Sequence, residues 1–372
     1  MNTIVYKIDD AAACGEQLRN AADVLRKGGL VVFPTETVYG IAARGDIEGM
    51  NALTAIKGRD DSKFYSLHIP DDESVGKYVP YIDMRAKKLI KNFWPGPVTI
   101  VFKLTDEQLK AQQEKLGKKW ACLYKDNSIG VRCPDNHIAS RLLELAGVPV
   151  VATSANISGM PAATCFDDAF ECFDGKLPVI IDGGDCEESL ASTVVRISSG
   201  SIDVLREGAV SSEEISDIST VNILFVCGSN TCCSPIAAQI CRKLLAGKVG
   251  CDVERLELFG YKVRSAGVMV PVKQPENMGV VELCGELGFD LSGHKIAGLM
   301  PRDILCSDLI LVMEAEQRNR IVDFYPELAD KCKLLAGDYD ICDPADGGLD
   351  VYANFATLVE NAITERIGEL LI

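Results

Sequence analysis

Aromatic residues make up only 6% of this 372-residue chain, and there are three histidines. So few imidazoles leave little from which to build a histidine-rich metal cage. Long apolar runs are missing as well: no stretch approaches the ~18 consecutive apolar residues of a membrane-spanning helix. The opening residues, MNTIVYKIDDAAACGEQ, place acids where a secretory signal needs an apolar run. Internal repeats and long low-complexity segments are absent. Cations are the minority charge, 38 against 54 acids, for a net charge of −16. That balance argues against a broad nucleic-acid-binding surface while leaving room for a local basic pocket. Together these absences predict a cytoplasmic protein with no part embedded in a membrane.

What is present is ordinary in bulk. Apolar residues make up 47% and charged residues 25%, as in soluble globular proteins generally. The length accommodates two domains, each with its own core. Cysteine is plentiful at 15. Yet Cys14, Cys122, Cys241, Cys284 and Cys306 sit in apolar segments, the pattern of buried free thiols in a reducing compartment.

The second half is arranged around VNILFVCGSNTCCSP, residues 221–235. Residues 222–226 are an apolar run of strand length, and 227–234 a loop of small polar residues. Pro235 then opens an apolar-periodic segment, and proline suits the start of a helix. Strand, loop and helix in that order converge backbone N–H groups on an anion. A thiol at the loop's start, Cys227, is expected to have a lowered pKa and to act as a thiolate nucleophile.

In the first half, helical periodicity over 11–27 ends at Gly28-Gly29, and a strand follows at 30–33. PTETVYG, residues 34–40, is a turn rich in small hydroxyls. A helical segment at 45–56 delivers KGRDDSK, residues 57–63. Its three cations, Lys57, Arg59 and Lys63, fit a polyphosphate site; a solvated helix end, where cations suit the dipole, explains the same spacing. Further strands are read in YSLHI (65–69), WPGPVTIVF (94–102), SIGVRCP (128–134), VVATSANISG (150–159) and STVVRI (192–197). Each adjoins a turn of serine, threonine, glycine or proline. Ser154 and Asn156 could offer donors to a ligand or cap their own turn.

In order and spacing, PTETVYG, KGR, His68, WPGPVT, GVRCP, TSANISG, and STVV followed by LREG resemble the YrdC-type L-threonylcarbamoyladenylate synthase family over residues 11–208. The resemblance implies a twisted mixed sheet with helices. It also implies a reaction joining L-threonine, bicarbonate and ATP, with Mg²⁺, into threonylcarbamoyl-AMP and pyrophosphate. That product serves threonylcarbamoyladenosine formation in tRNA, completed by partner proteins; direct tRNA binding stays open. Matched position by position, Thr35, His68, Arg132 and Ser192 fall on threonine. Lys57, Arg59, Lys63, Ser128, Ser154, Asn156 and Arg206 fall on ATP. Positioning and fixed cations, rather than a covalent nucleophile, would supply the acceleration. Arg132, at a strand end, suits bidentate capture of a carboxylate. Departures from the family pattern are Asp60 for a proline, Phe64-Tyr65 for Pro-Leu, and Arg196 for an acid. A non-catalytic nucleotide- or RNA-binding module is the competing reading.

Residues 207–220, EGAVSSEEISDIST, are polar and acidic. They read as a linker over 210–220 with a short helix near 212–216, dividing domains 1–209 and 221–372. Beyond the Cys227 loop, strands at 261–268, 308–313 and 333–336 alternate with helices at 276–287 and 349–372. That alternation predicts a parallel sheet flanked by helices. Ligands of such sheets sit at the carboxyl ends of strands, which puts Cys227 and Asp343 in one crevice.

The CGSNTCCSP loop, the Ser-Ala-Gly ending at 267 and Asp343-Pro344 resemble the low-molecular-weight protein tyrosine phosphatase family. Thr231 and the DPADGG loop resemble its arginine-phosphatase branch. The resemblance implies Cys227 as nucleophile, Asp343 as general acid, Asn230 as loop brace, and Ser234 as the thiolate's hydrogen-bond donor. Cys232 would face Cys227 across the loop. Cys233, however, stands where the family has its phosphate-gripping arginine. Cysteine offers one weak donor and no charge; losing a comparable arginine costs roughly 10³–10⁵ in rate. An impaired phosphatase-like domain is therefore expected. The alternatives are an active protein tyrosine or arginine phosphatase and a thiol-redox or metal site on Cys227, Cys232 and Cys233. Zinc would need ligands beyond these, so the sequence assigns no metal.

Overall fold

The computed structural model describes residues 2–9, 15–58, 65–198, 201–270, 278–344 and 347–370. They divide into two units, residues 1–198 with 202–218, and residues 219–372 with 199–201.

The first unit is built on ten strands: β1 Ile4–Lys7, β2 Val31–Phe33, β3 Gly40–Arg44, β4 Ser66–His68, β5 Val98–Lys103, β6 Ser128–Arg132, β7 Val150–Ser154, β8 Val179–Asp182, β9 Thr193–Ser198 and β10 Ser201–Arg206. Their order is β1-β8-β2-β3-β7-β4-β6-β5-β9-β10. The sheet is mixed, as expected: β2 runs parallel to β8 and antiparallel to β3, and β5 antiparallel to β6 and parallel to β9. β2 is buried throughout. Its residues alternate between two apolar clusters, Val32 in one, Val31 and Phe33 in the other, because successive side chains leave opposite faces of a strand. Such two-sided burial explains the unbroken apolar runs in the sequence.

Helix Ile47–Lys57 shows how local signals place a functional side chain. Asp46 caps it by accepting from the Gly49 N–H, and Gly58 closes it with φ of 58°. Arg44 and Lys119 both pair with the Asp46 carboxylate. The last residue of this fixed helix, Lys57, is buried, only 2% exposed.

The acidic stretch expected to link the domains is ordered and packed instead. It forms a helix, Ser212–Ser219, and Val210 and Ile215 are buried in the first unit's core with Ile218 against it. Ile215 and Ile218 share one helix edge, three residues apart, among polar neighbours that mask it in the composition.

The second unit carries β11 Val221–Cys227, β12 Tyr261–Gly267, β13 Leu309–Val312 and β14 Cys332–Leu334. All pair in parallel, in the order β12-β11-β13-β14. Helices Cys233–Val249 and Leu349–Leu370 pack against one another. The helix expected over 276–287 is described from Met278 to Glu286, and Gly288 follows at φ of 81°. Among the described residues no helix is long and apolar enough to cross a membrane.

Candidate functional sites

A cavity of about 290 Å³ opens in the first unit among β3 to β7 and β9. Of the residues singled out in the sequence, Thr35, Lys57, His68, Arg132, Ser154, Asn156, Ser192 and Arg206 all line it. Ser128 does not; it lines an adjoining hollow with Lys103 and Arg196. Arg59, Asp60, Lys63 and Phe64 lie outside the described residues.

Lys57 Nζ donates to the Ser154 carbonyl at 2.6 Å and to Asn156 Oδ1 at 2.9 Å. Ser154 Oγ donates to the same Asn156 oxygen at 2.7 Å. Asn156 Nδ2 in turn donates to the carbonyls of Ile157 and Met160. Asn156 is thus the brace of its turn, and it holds a cation and a hydroxyl at the end of β7. On the far side, Arg206 Nη2 donates to the Ser192 carbonyl at 2.6 Å and lies 3.2 Å from Ser192 Oγ. That hydroxyl is 3.1 Å from Thr99 Oγ1.

Arg132, at the end of β6, pairs with Glu36 at 3.0 Å and donates to Thr37 Oγ1 at 2.5 Å. Both partners are buried, and Arg132 Nε and Glu36 Oε2 have no hydrogen-bond partner among the described residues. Thr35 Oγ1 donates to the Val38 carbonyl at 2.6 Å, folding PTETVYG back on itself. His68 Nδ1 lies 3.1 Å from the Ser66 carbonyl oxygen. Burial, then the Arg132 charge, push its pKa down to about 3, so the imidazole is neutral near pH 7. Among the described residues no carboxylate lines the cavity. A divalent cation there would have to arrive with oxygen ligands of its own, as on a nucleotide's phosphates.

In the second unit the loop after β11 is fully assembled. Cys227 Sγ lies 3.0 Å from Ser234 Oγ and accepts from the Asn230 N–H at 3.2 Å. Asn230 has φ of 59°, a conformation asparagine tolerates. Its Nδ2 donates to Ser234 Oγ and Ser265 Oγ, both at 3.0 Å, and its Oδ1 accepts from the Ala297 N–H at 2.8 Å. Thr231 Oγ1 lies 2.6 Å from Ser229 Oγ. Gly267 is required by close approach: a Cβ there would come within 2.7 Å of the Ser229 carbonyl carbon.

The electrostatics of that loop depart from expectation. Burial pushes the Cys227 thiol up, and the donors from Ser234 and Asn230 offset it only in part. The expected lowering fails because burial outweighs those donors. Cys233 is buried; its thiol is also held up, first by the Cys232 thiol, then by burial and by the charge of Asp343. Arg242 cannot substitute: its Nη2 donates to the Val263 carbonyl on β12. Asp343 Oδ1 lies 3.5 Å from Cys232 Sγ, which brings the general-acid position to this loop.

Residues 23–208 match the Sua5/YciO/YrdC family model, described as telomere recombination, and that match spans half of the chain. The chain belongs to the Sua5/YciO/YrdC family. Residues 222–370 match the low molecular weight phosphotyrosine protein phosphatase model, so a phosphatase domain occupies the C-terminal half. The threonylcarbamoyl-AMP synthase of Pyrococcus abyssi is 35% identical over 203 residues, covering 54% of this chain and 57% of that protein. The threonylcarbamoyl-AMP synthase of Bos taurus is 30% identical over 207 residues, covering 52% and 68%. The chain thus spans less than two thirds of the Pyrococcus protein's length. The crystal structure of P. abyssi Sua5 complexed with L-threonine shares the fold, with a TM-score of 0.50 and 24% identity over 80% of this chain and 100% of that one.

Three residues escaped the sequence reading: Thr99, which lines the cavity, and Glu36 and Thr37, which hydrogen-bond Arg132. Thr99 carried a signal, a lone hydroxyl in the apolar run of β5 on the same face as Val101. Glu36 carried none, because its partner Arg132 is 96 residues away. Around the phosphatase-domain loop His294, whose Nε2 lies 2.8 Å from the Asn230 carbonyl oxygen, was missed for the same reason.

Proposed function

We propose that the first unit is an L-threonylcarbamoyladenylate synthase. The observation that carries this reading is the convergence of Lys57, Arg132 and Arg206 with the hydroxyls of Thr35, Ser154 and Ser192 on one cavity, in a chain of net charge −16. L-Threonine and bicarbonate give an N-carboxylated threonine; its carbamate oxygen attacks the α-phosphorus of ATP, and pyrophosphate leaves. Lys57, Ser154, Asn156 and Arg206, with Arg59, Lys63 and Ser128, hold the nucleotide. Thr35, His68, Arg132 and Ser192 hold threonine, the ligand of the Pyrococcus abyssi structure. Neutral His68 adds no charge beside Arg132, whose guanidinium would accept the threonine carboxylate alongside Glu36. ATP would bring Mg²⁺ on its phosphates, which would offset the charge of the leaving pyrophosphate. Partner proteins complete the transfer to tRNA, and the setting is the cytoplasm, where the free thiols stay reduced.

The phosphatase domain is impaired in this reading, because its loop has geometry without a gripping cation. The decisive assay is pyrophosphate release from ATP. It should require both threonine and bicarbonate, and Lys57→Ala should lower it by about 10²-fold, the scale of misplacing a reactant. Release that ignores threonine would refute the assignment.

A further inference from the structure

We propose that Cys232, Cys233 and Asp343 form a zinc-binding site in the phosphatase domain, at the position where its loop lacks the arginine. The ligand atoms of these three residues all lie within 4.8 Å of one another. A tetrahedral zinc with Zn–S of about 2.3 Å and Zn–O of about 2.0 Å sets S···S near about 3.8 Å and S···O near about 3.5 Å. Here Cys232 Sγ is 3.6 Å from Cys233 Sγ and 3.5 Å from Asp343 Oδ1. Two of the three edges between these ligands already have tetrahedral length, and the third, Cys233 Sγ to Asp343, lies within 4.8 Å.

Charge and access agree. In the arginine's place the chain puts a thiol, so the position that would hold an anion acquires an electron-pair donor. The nearest arginine along the helix, Arg242, is turned to the Val263 carbonyl. Both cysteines sit at the start of helix Cys233–Val249, where a bound Zn²⁺ would offset the burial and neighbouring charge that hold the Cys233 thiol up. The thiols are buried and Asp343 is exposed, which gives a metal a route in from the carboxylate side. Two thiolates with one carboxylate suit zinc over the harder Mg²⁺ or Ca²⁺, and the oxygen ligand disfavours Cu⁺. Zn²⁺ replaces the two thiol protons, which leave to solvent, and bonds to the ionised carboxylate; nothing is oxidised or reduced. Three protein ligands leave the fourth position to water. The site lies outside the synthase cavity and does not depend on that assignment.

Cobalt is the test. Metal-free full-length protein, kept reduced, should take up one equivalent of Co²⁺ with sulfur-to-cobalt charge-transfer absorption and the strong visible bands of tetrahedral cobalt. Zn²⁺ should bleach both. Cys232→Ser and Cys233→Ser should each lose the charge-transfer intensity of one thiolate; Asp343→Asn should bind more weakly while keeping it. Circular dichroism of each variant reports folding. Should a serine variant unfold, alkylation of the wild-type protein decides: zinc should protect Cys232 and Cys233, read peptide by peptide. Absence of tetrahedral bands in the wild type, undiminished bands in both folded serine variants, or no protection would overturn the proposal.

Discussion

The two units offer a controlled contrast. Each presents small polar residues at the ends of strands, each tied by an asparagine that braces its loop, Asn156 in one and Asn230 in the other. They differ in the balancing charge. The first unit's cavity holds Lys57, Arg132 and Arg206. The phosphatase-domain loop holds Cys233 where the family resemblance implies an arginine, and burial raises the Cys227 thiol. The lesson is that backbone and side-chain hydrogen bonds can assemble such a loop without a cation in it.

The sharpest way to break this contrast is Cys233→Arg. The bracing bonds of Asn230 are already in place, so hydrolysis of p-nitrophenyl phosphate should rise by about 10³-fold or more. Equal rates before and after would show that the loop lacks more than a cation.

The next effect is in the synthase unit. Arg132→Ala should abolish threonine-dependent pyrophosphate release. It should also destabilise that unit by about 3–5 kcal/mol in urea titration, because Glu36 is left buried and unpaired. Adding Glu36→Gln should restore part of the stability and none of the activity. Full recovery of activity would remove Arg132 from the site.

The smallest expected effect is the pH dependence of His68. Its folded pKa, about 3, lies below the ordinary 6.5, so the unfolded chain binds a proton that the folded chain does not. The stabilisation is complete above pH 6.5 and is lost as pH falls from there toward 3. His68→Gln should flatten the stability slope in that window, measured by denaturation at pH 7 and pH 5. An unchanged slope would place the titration elsewhere.

Much of this was legible in the sequence because the signals are local. The helix read at 45–56 forms as Ile47–Lys57, framed by Asp46 and Gly58, and so delivers Lys57 as its last residue. The Ser/Thr/Gly turns after apolar runs mark strand ends, and those ends converge on the cavity. What stayed hidden is long-range or collective. The Glu36–Arg132 pair joins distant segments, and the buried edge of helix Ser212–Ser219 is two isoleucines among acids. The direction of the Cys227 shift depends on how deeply the loop is enclosed, which no motif states. A crevice shared by the Cys227 loop and Asp343 was expected, whereas the 3.5 Å approach of Asp343 Oδ1 to Cys232 Sγ is visible only in the fold.

The Glu36–Arg132 pair has one more consequence. An amino acid whose carboxylate reaches Arg132 does not meet a vacant partner; it arrives second, at a guanidinium that a resident acid already occupies. Recognition there is an exchange or a sharing, and a weak ligand loses the competition. Glu36 thus holds the guanidinium in position and would compete with any carboxylate brought to it.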